Sequence, residues 1–240
     1  MSATAAAIWH DVECGSYAAD LPLWEELAER CGGPVLELGC GTGRVVLHLA
    51  RRGHEVIGLD ADAELLDAFA ARAEGLRAKT LHADARAFEP AEEVGLVLAP
   101  THLLQLLPGP AERVECLRCV AAALRPGGLL AATILEQMPE PDGAPPPLPD
   151  VREVDGWVYS SLAIEAAIGP GEIVVRRLRQ TVSPEGSLSE EPNEVRILTF
   201  AAATLESEAA TAGLAPAGRH EIAPTELHVG ATVVLLEKSS

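Results

Sequence analysis

One run, VLELGCGTGRVVLHLA from Val35 to Ala50, constrains this chain more than any other. It opens as an apolar strand, Pro34 to Leu38, and passes through three glycines at alternate positions, Gly39, Gly41 and Gly43, with Cys40 between the first two. It closes with Val45, Val46, Leu49 and Ala50 at helical spacing. A strand that turns into a helix through glycine leaves the free N–H groups of the helix's first turn at a sheet edge, and such loops hold nucleotides. A dinucleotide loop reads G-x-G-x-x-G. Here the glycines fall as G-x-G-x-G, and the sixth place is Arg44. Glu37 stands two residues before the first glycine, where a carboxylate is a poor neighbour for pyrophosphate and suits a cationic ligand.

The rest of the first half repeats the strand–helix alternation. LPLWEELAERCGG reads as a helix ended by Gly32 and Gly33. HEVIGLDAD is a second strand ending at Asp60, AELLDAFAARAEG a helix closed by Gly75, and AKTLHADAR a third strand ending near Asp84. EVGLVLAP is a fourth strand stopped by Pro100. The helix PAERVECLRCVAAALRPGG, with Pro110 near its start, precedes a fifth strand, LLAATILE. The expected fold is α/β, a Rossmann-like doubly wound sheet of seven strands, mostly parallel. Its last helix and two strands come from TLESEAATAG, APAGRHEIA and ATVVLLEK.

Between the fifth strand and that last helix the pattern breaks. MPEPDGAPPPLPD is too proline-rich for helix or central strand and reads as a stiff connector. Three extended runs follow: WVYSSLAIEA, EIVVRRLRQTV and EVRILTF. In the first, Val158, Leu162, Ile164 and Ala166 share one parity, as on a half-buried strand. The chain therefore divides into an N-terminal helical cap (1–33), a core (34–138 and 201–240), and a connector with an antiparallel β lid after the fifth strand (139–200).

Composition narrows the partners. The formal net charge of −18 and the absence of a basic run disfavour nucleic acid. The N-terminus lacks the basic and apolar regions of a signal peptide, and no stretch approaches the ~18 apolar residues of a membrane span. Five cysteines then read as reduced thiols in a cytoplasm. Cys116 and Cys119, a C-x-x-C without a second pair, read as a buried helix face, and no metal site is expected.

Asp60 follows Gly39 by about 20 residues, the place from which a carboxylate accepts hydrogen bonds from two ribose hydroxyls. Glu37, Asp60 and Asp84 would all lie on the carboxyl edge of one sheet. Together, VLELGCGTGR, VIGLDAD, HADAR and LRPGGLL resemble the successive motifs of class I S-adenosylmethionine-dependent methyltransferases, over roughly Leu21 to Glu136. The added strands resemble the lid of small-molecule members such as glycine and nucleotide-sugar N-methyltransferases.

The resemblance implies S-adenosylmethionine as cofactor, S-adenosylhomocysteine as product, and a set of contacts. Gly39, Cys40, Gly41 and Gly43 form the loop that passes the methionine part, and Glu37 anchors that loop and the ligand's amino end. Asp60 takes the ribose diol and Ala61 packs on adenine. Asp84 receives the adenine amino group and Ala85 reads the ring edge. Ala99 and Pro100 lie near the sulfonium, and Tyr17 covers the cofactor or acceptor. The expected activity is methyl transfer to an N, O or C atom of a small molecule, and the alanine-rich, lysine-poor composition suggests secondary metabolism. The alternatives are a protein or RNA methyltransferase, weakened by the lack of an N-P-P-Y run after the fourth strand, or a cofactor-binding protein without turnover.

In-line displacement from a sulfonium needs alignment above all, which alone can supply ~7–11 kcal/mol. A protonated acceptor also needs a base. His102, just past the fourth strand, is the first candidate, with His10 and Tyr17 behind it. Similar enzymes often carry a His where this chain has Gln105. Trp157 and Tyr159 read as packing residues of the insert. Arg177 and Arg179 alternate onto one face and Arg176 onto the other, with Glu190 and Glu191 as expected ion-pair partners. The exposed apolar strand faces of the insert make it a candidate surface for a homodimer.

Overall fold

The computed structural model describes residues 4–138, 148–225 and 228–239. Its order is α1 (Ala5–Cys14), α2 (Leu21–Cys31), β1 (Val35–Leu38), α3 (Arg44–Arg51), β2 (Val56–Asp60), α4 (Ala63–Arg72), β3 (Ala78–His82), β4 (Val94–Ala99), α5 (Leu103–Leu106), α6 (Pro110–Ala123) and β5 (Leu124–Ile134). Then come β6 (Asp150–Val154), β7 (Trp157–Gly169), β8 (Glu172–Val182), β9 (Leu188–Leu198), α7 (Ala202–Thr211), β10 (Leu214–Ile222) and β11 (Ala231–Lys238).

Seven strands form one sheet in the order β10-β11-β5-β4-β1-β2-β3. The first five in sequence are parallel, and β11 runs antiparallel to both β5 and β10. β1 and β4 are buried at every residue, as central parallel strands covered on both faces must be. One apolar cluster joins Leu36, Leu38, Val97 and Leu130 to α6 and α7. The other joins Val35, Leu96, Leu98 and Ala131 to α2, α3 and α4. Close packing fixes Gly95 in β4: a Cβ there would lie 2.0 Å from the Gly32 carbonyl oxygen. The strand order reverses between β1 and β4, and in open α/β sheets the crevice at that reversal takes the ligand.

The four strands β6-β7-β8-β9 form a separate antiparallel sheet. Three were expected. β6 pairs with β7 across the Asp155–Gly156 turn, both residues at positive φ. β9 starts at Leu188, inside what reads as a turn, and tolerates Pro192 because it is an edge strand. The face shared by Val158, Leu162, Ile164 and Ala166 is the more exposed one rather than a half-buried one: Val158, Ile164 and Ala166 are exposed and Leu162 is half-buried. Ser161, of the opposite parity, is fully buried, and the register of β7 shifts between Ala163 and Glu165. The proline-rich connector falls largely on residues 139–147, outside the described residues.

α1 also goes beyond the sequence reading. Thr4 caps it, its Oγ1 accepting from the Ala7 N–H at 3.3 Å. Its Ile8, Trp9 and Val12 pack against Val154 and Tyr159 of the insert. Trp9 and Tyr159 meet edge to face with ring centres 5.4 Å apart.

Candidate functional site

The loop from Gly39 to Gly43 is held by its own backbone and by carboxylates from two strands. The Gly43 N–H donates to the Cys40 carbonyl at 2.9 Å, and Gly43 opens α3 at φ +96°. Glu37 lies within β1 with its side chain turned toward α3, and its Oε2 accepts from the Val46 N–H at 2.9 Å. It is 3 % exposed. Burial pushes its carboxyl up to about 8, although the Arg44 charge and the Val46 N–H act in the opposite direction. Asp60 ends β2. One of its oxygens accepts from the Gly41 N–H at 2.8 Å and the other from the Asp62 N–H at 2.9 Å.

Asp84 lies two residues beyond β3, where it forms a fork with Arg86. Its oxygens take the Arg86 backbone N–H at 2.8 Å, Nε at 2.9 Å and Nη2 at 2.5 Å, and those bonds hold the carboxyl down at about 2. A polar network closes the other end of the loop. Arg44 makes a two-pronged pair with buried Asp20 at 2.6 and 2.7 Å and donates to the Tyr17 carbonyl at 2.9 Å. The Trp24 Nε1 donates to the same carboxylate at 2.8 Å. Thr42 donates to Asp11 of α1 at 2.6 Å, and His10 contacts the Thr42 hydroxyl at 3.1 Å through Nδ1.

These groups surround a cavity of about 520 Å³ on the carboxyl edge of the sheet. Of the residues expected there, Glu37, Gly39, Cys40, Asp60, Ala61, Asp84, Ala85 and Pro100 line it. Gly41, Gly43, Ala99, Tyr17 and His102 do not. Gly41 leaves room for the His10 ring and Gly43 for Phe69. Ala99 is fully buried in β4. Tyr17 stacks at a tilt on His228, ring centres 4.7 Å apart, with the Arg44 guanidinium 5.2 Å from its ring centre. His102 and Thr101 both have positive φ, at 64° and 55°. Thr101 faces the cavity, while the His102 Nδ1 is buried without a hydrogen bond. Burial lowers that ring's pKa to about 4, so it is neutral and a weak base.

Cys14, Leu59 and Arg86 also line it, as do His10, Arg44, Leu103, Leu106, Leu107 and Pro108. The apolar run HLLQLLP is the sequence signal for the last four. Gln105 is a staple: its amide bonds the Leu135 carbonyl and N–H and the Leu198 carbonyl at 2.6–2.9 Å. The arginines of β8 also have other partners than expected. Arg179 forks onto Glu13 of α1 at 2.8 and 2.9 Å, Arg177 pairs with Asp150, and Arg176 with Glu165 and Glu194. Cys116 is buried and Cys119 half-buried, its thiol 3.3 Å from the Arg86 carbonyl.

Residues 35–128 match the family model described as a methyltransferase domain. Over 139 residues the chain is 35% identical to a trans-aconitate 2-methyltransferase from an Azoarcus species, a match covering 57% of this chain and 50% of that protein. The chain thus spans about half the length of that curated relative. Among solved structures, a sugar N-methyltransferase from a Streptoalloteichus species superposes with a TM-score of 0.77 at 16% identity, over 100% of this chain and 94% of that one. An amino pentose methyltransferase from Micromonospora echinaspora, solved with S-adenosylmethionine bound, superposes with a TM-score of 0.72 at 18% identity, over 97% of each chain. At such identities the likeness is one of fold.

Proposed function

We propose that the chain is a member of the class I S-adenosylmethionine-dependent methyltransferase superfamily, as the methyltransferase-domain match over residues 35–128 supports, and that it transfers a methyl group from S-adenosylmethionine to an N, O or C atom of a small molecule. The observation that carries this reading is Asp60, set at the end of β2 against the glycine loop and facing the cavity. Each of its oxygens accepts one backbone N–H and keeps a lone pair directed elsewhere, which suits a ribose diol. Ala61 and Ala85 offer small apolar surfaces for adenine, and Asp84 can receive its amino group at the cost of loosening Arg86. Glu37 anchors the start of α3 through Oε2, and its other oxygen, at the cavity, can meet the ligand's amino end. Gly39 and Cys40 line the methionine end, with Pro100 and Thr101 opposite.

S-adenosylmethionine brings a methyl group already activated on a sulfonium, so the protein's task is alignment and exclusion of water. His102 sits behind the wall, between Thr101 and Leu103 that line the cavity, and helps to hold its shape. Its neutral, buried ring supports that role better than a base role, and His102→Ala separates the two: loss of a base lowers turnover ~10²–10⁴-fold, whereas a wall residue shifts KM. The core (34–138 and 201–240) holds the cofactor, while the cap (1–33) and the insert (139–200) bound the acceptor. The acidic surface argues against nucleic acid as acceptor. No helix among the described residues is long and apolar enough to cross a membrane, and five free thiols suit a cytoplasm. Self-association, where it occurs, uses the insert, whose Ile164, Ile168 and Leu188 are exposed. The test is incubation with isotopically labelled S-adenosylmethionine and a library of small amines, alcohols and acids, read by mass spectrometry. Label transfer to none of them, with S-adenosylhomocysteine bound, would leave a binding protein without turnover.

A further inference from the structure

The hydrogens over the glycine loop can be assigned by counting. Asp11 is ionised: burial works against it, but bonds from Arg72 and Thr42 outweigh burial and hold the carboxyl below its usual range. A carboxylate only accepts, so the single Thr42 proton goes to Asp11 at 2.6 Å. The Thr42 oxygen has no second proton to give. His10 Nδ1, 3.1 Å away, must therefore be the donor. Burial lowers the ring's pKa against the pull of Asp11 and Asp60, so the ring is neutral and its Nε2 carries a lone pair. Thr42 is itself part of the loop, so the loop fixes the tautomer that faces it.

That lone pair is placed with care. A Cβ on Gly41 would lie 2.1 Å from Nε2, so only glycine at this position admits the ring. The Gly41 N–H is the one bonded to Asp60. His10 lines the cavity together with Asp60 and Arg44. Within the described residues Nε2 makes no hydrogen bond, and it is not among the sealed, unpartnered polar atoms, which include His48 Nε2 and His102 Nδ1. An acceptor locked by two residues behind it and open to the cavity is arranged to meet a donor.

We propose that His10 Nε2 accepts a hydrogen bond from the nucleoside cofactor, from a ribose hydroxyl or from the ammonium of the amino-acid end. This deepens the reading above and rests on it. His10 is then a binding residue of the N-terminal cap, and Thr42 and Asp11 are positioning residues that act through it.

Two substitutions and one spectrum test this. His10→Asn keeps a donor near the Nδ1 position and removes the distal acceptor, while His10→Gln returns an acceptor near the Nε2 position. By calorimetry with S-adenosylhomocysteine, His10→Asn should bind about tenfold more weakly, the loss of one hydrogen bond, with its ligand-free melting temperature unchanged. His10→Gln should recover most of the affinity. In ¹⁵N-labelled wild-type protein, the His10 ring should show the Nδ1–H tautomer before ligand is added. The Nε2 resonance should move toward the protonated-nitrogen range on adding S-adenosylhomocysteine. The same movement with methylthioadenosine, which lacks the amino-acid end, identifies the ribose as donor; movement with S-adenosylhomocysteine alone identifies the ammonium. Wild-type binding with Nε2 unmoved by either ligand overturns the proposal, as does a His10→Asn variant that binds like wild type. A wild-type protein that binds neither ligand overturns the cofactor reading itself, and this proposal with it.

Discussion

Glu37 makes a testable demand on the pH dependence of stability. Its side chain is buried, with one hydrogen bond from Val46 N–H, and burial lifts its carboxyl from 4.5 to about 8. A raised folded-state pKa means that the folded protein holds a proton which the unfolded chain releases. The penalty is absent below pH 4.5, grows as pH rises, and is complete above pH 8. Over that span it amounts to about 5 kcal/mol, at ~1.4 kcal/mol per pH unit. Glu37→Gln removes the charge and keeps an oxygen for the Val46 N–H, at the cost of burying an amide. The variant should match wild type near pH 4.5 and exceed it by roughly 2–5 kcal/mol above pH 8. Urea denaturation of both proteins at several pH values measures the difference directly, because groups common to both cancel. A difference that does not change with pH, or a variant less stable than wild type at pH 9, would refute the argument. It would mean that Glu37 is ionised in the folded protein and paired with Arg44.

The ribose assignment predicts that Asp60→Ala weakens S-adenosylhomocysteine binding at least tenfold by calorimetry, since each lost charge-assisted bond is worth ~1.5–3 kcal/mol; unchanged affinity would sink it. Arg113, 3 % exposed, forks onto Glu208 between α6 and α7 at 2.7 and 2.9 Å and lies over the Phe200 ring. Arg113→Ala strands the carboxylate and should cost about 3–5 kcal/mol in urea denaturation, and a loss under 1 kcal/mol would show that water replaces the arginine. Glu13→Gln weakens the fork to Arg179 by about 2 kcal/mol. It should raise hydrogen exchange in α1 and at the Gly41 and Thr42 amides, and an effect confined to β8 would disprove the link through α1.

The core was legible because its signals are local. Gly39, Gly41 and Gly43 mark the turn, and the uninterrupted apolar run of β4 announces a strand covered on both faces. What escaped depends on conformation or on distant partners. β7 turns Ser161 rather than Val158 into the protein and shifts register between Ala163 and Glu165, and nothing in VYSSLAIEAA marks either. His102 looked well placed after β4, but positive φ at Thr101 and His102 turns its ring into the protein. Asp84 was legible as a strand-end carboxylate, yet Arg86 two residues on occupies both of its oxygens. α1 carries only three large apolar residues that are buried, Ile8, Trp9 and Val12. Its polar residues acquire meaning only from partners 31 to 166 positions away.

Those partners change how the insert relates to the cofactor loop. From the sequence, residues 139–200 leave the carboxyl edge and lie outside the core's ladder, so replacing Asp150–Thr199 by a short linker should spare cofactor binding and abolish methyl transfer. In the structure α1 lies between insert and loop. On one side, Glu13 takes Arg179 and the Ser161 hydroxyl, Arg152 reaches Asp11 at 3.1 Å, and Trp9 packs on Tyr159. On the other, the same Asp11 holds Arg72 of α4 and Thr42 of the loop, and Thr42 holds His10. Asp11 is thus shared by the core, through Arg72 and Thr42, and by the insert, through Arg152. An insert that shifts on meeting its acceptor must either carry α1 with it or give up the Glu13 and Arg152 pairs. If α1 moves, His10 moves over Gly41, and the state of the acceptor side reaches the cofactor side through one ten-residue helix. Coupling of that kind needs an element that both sides bias, and α1 is bonded to each of them by ionised groups.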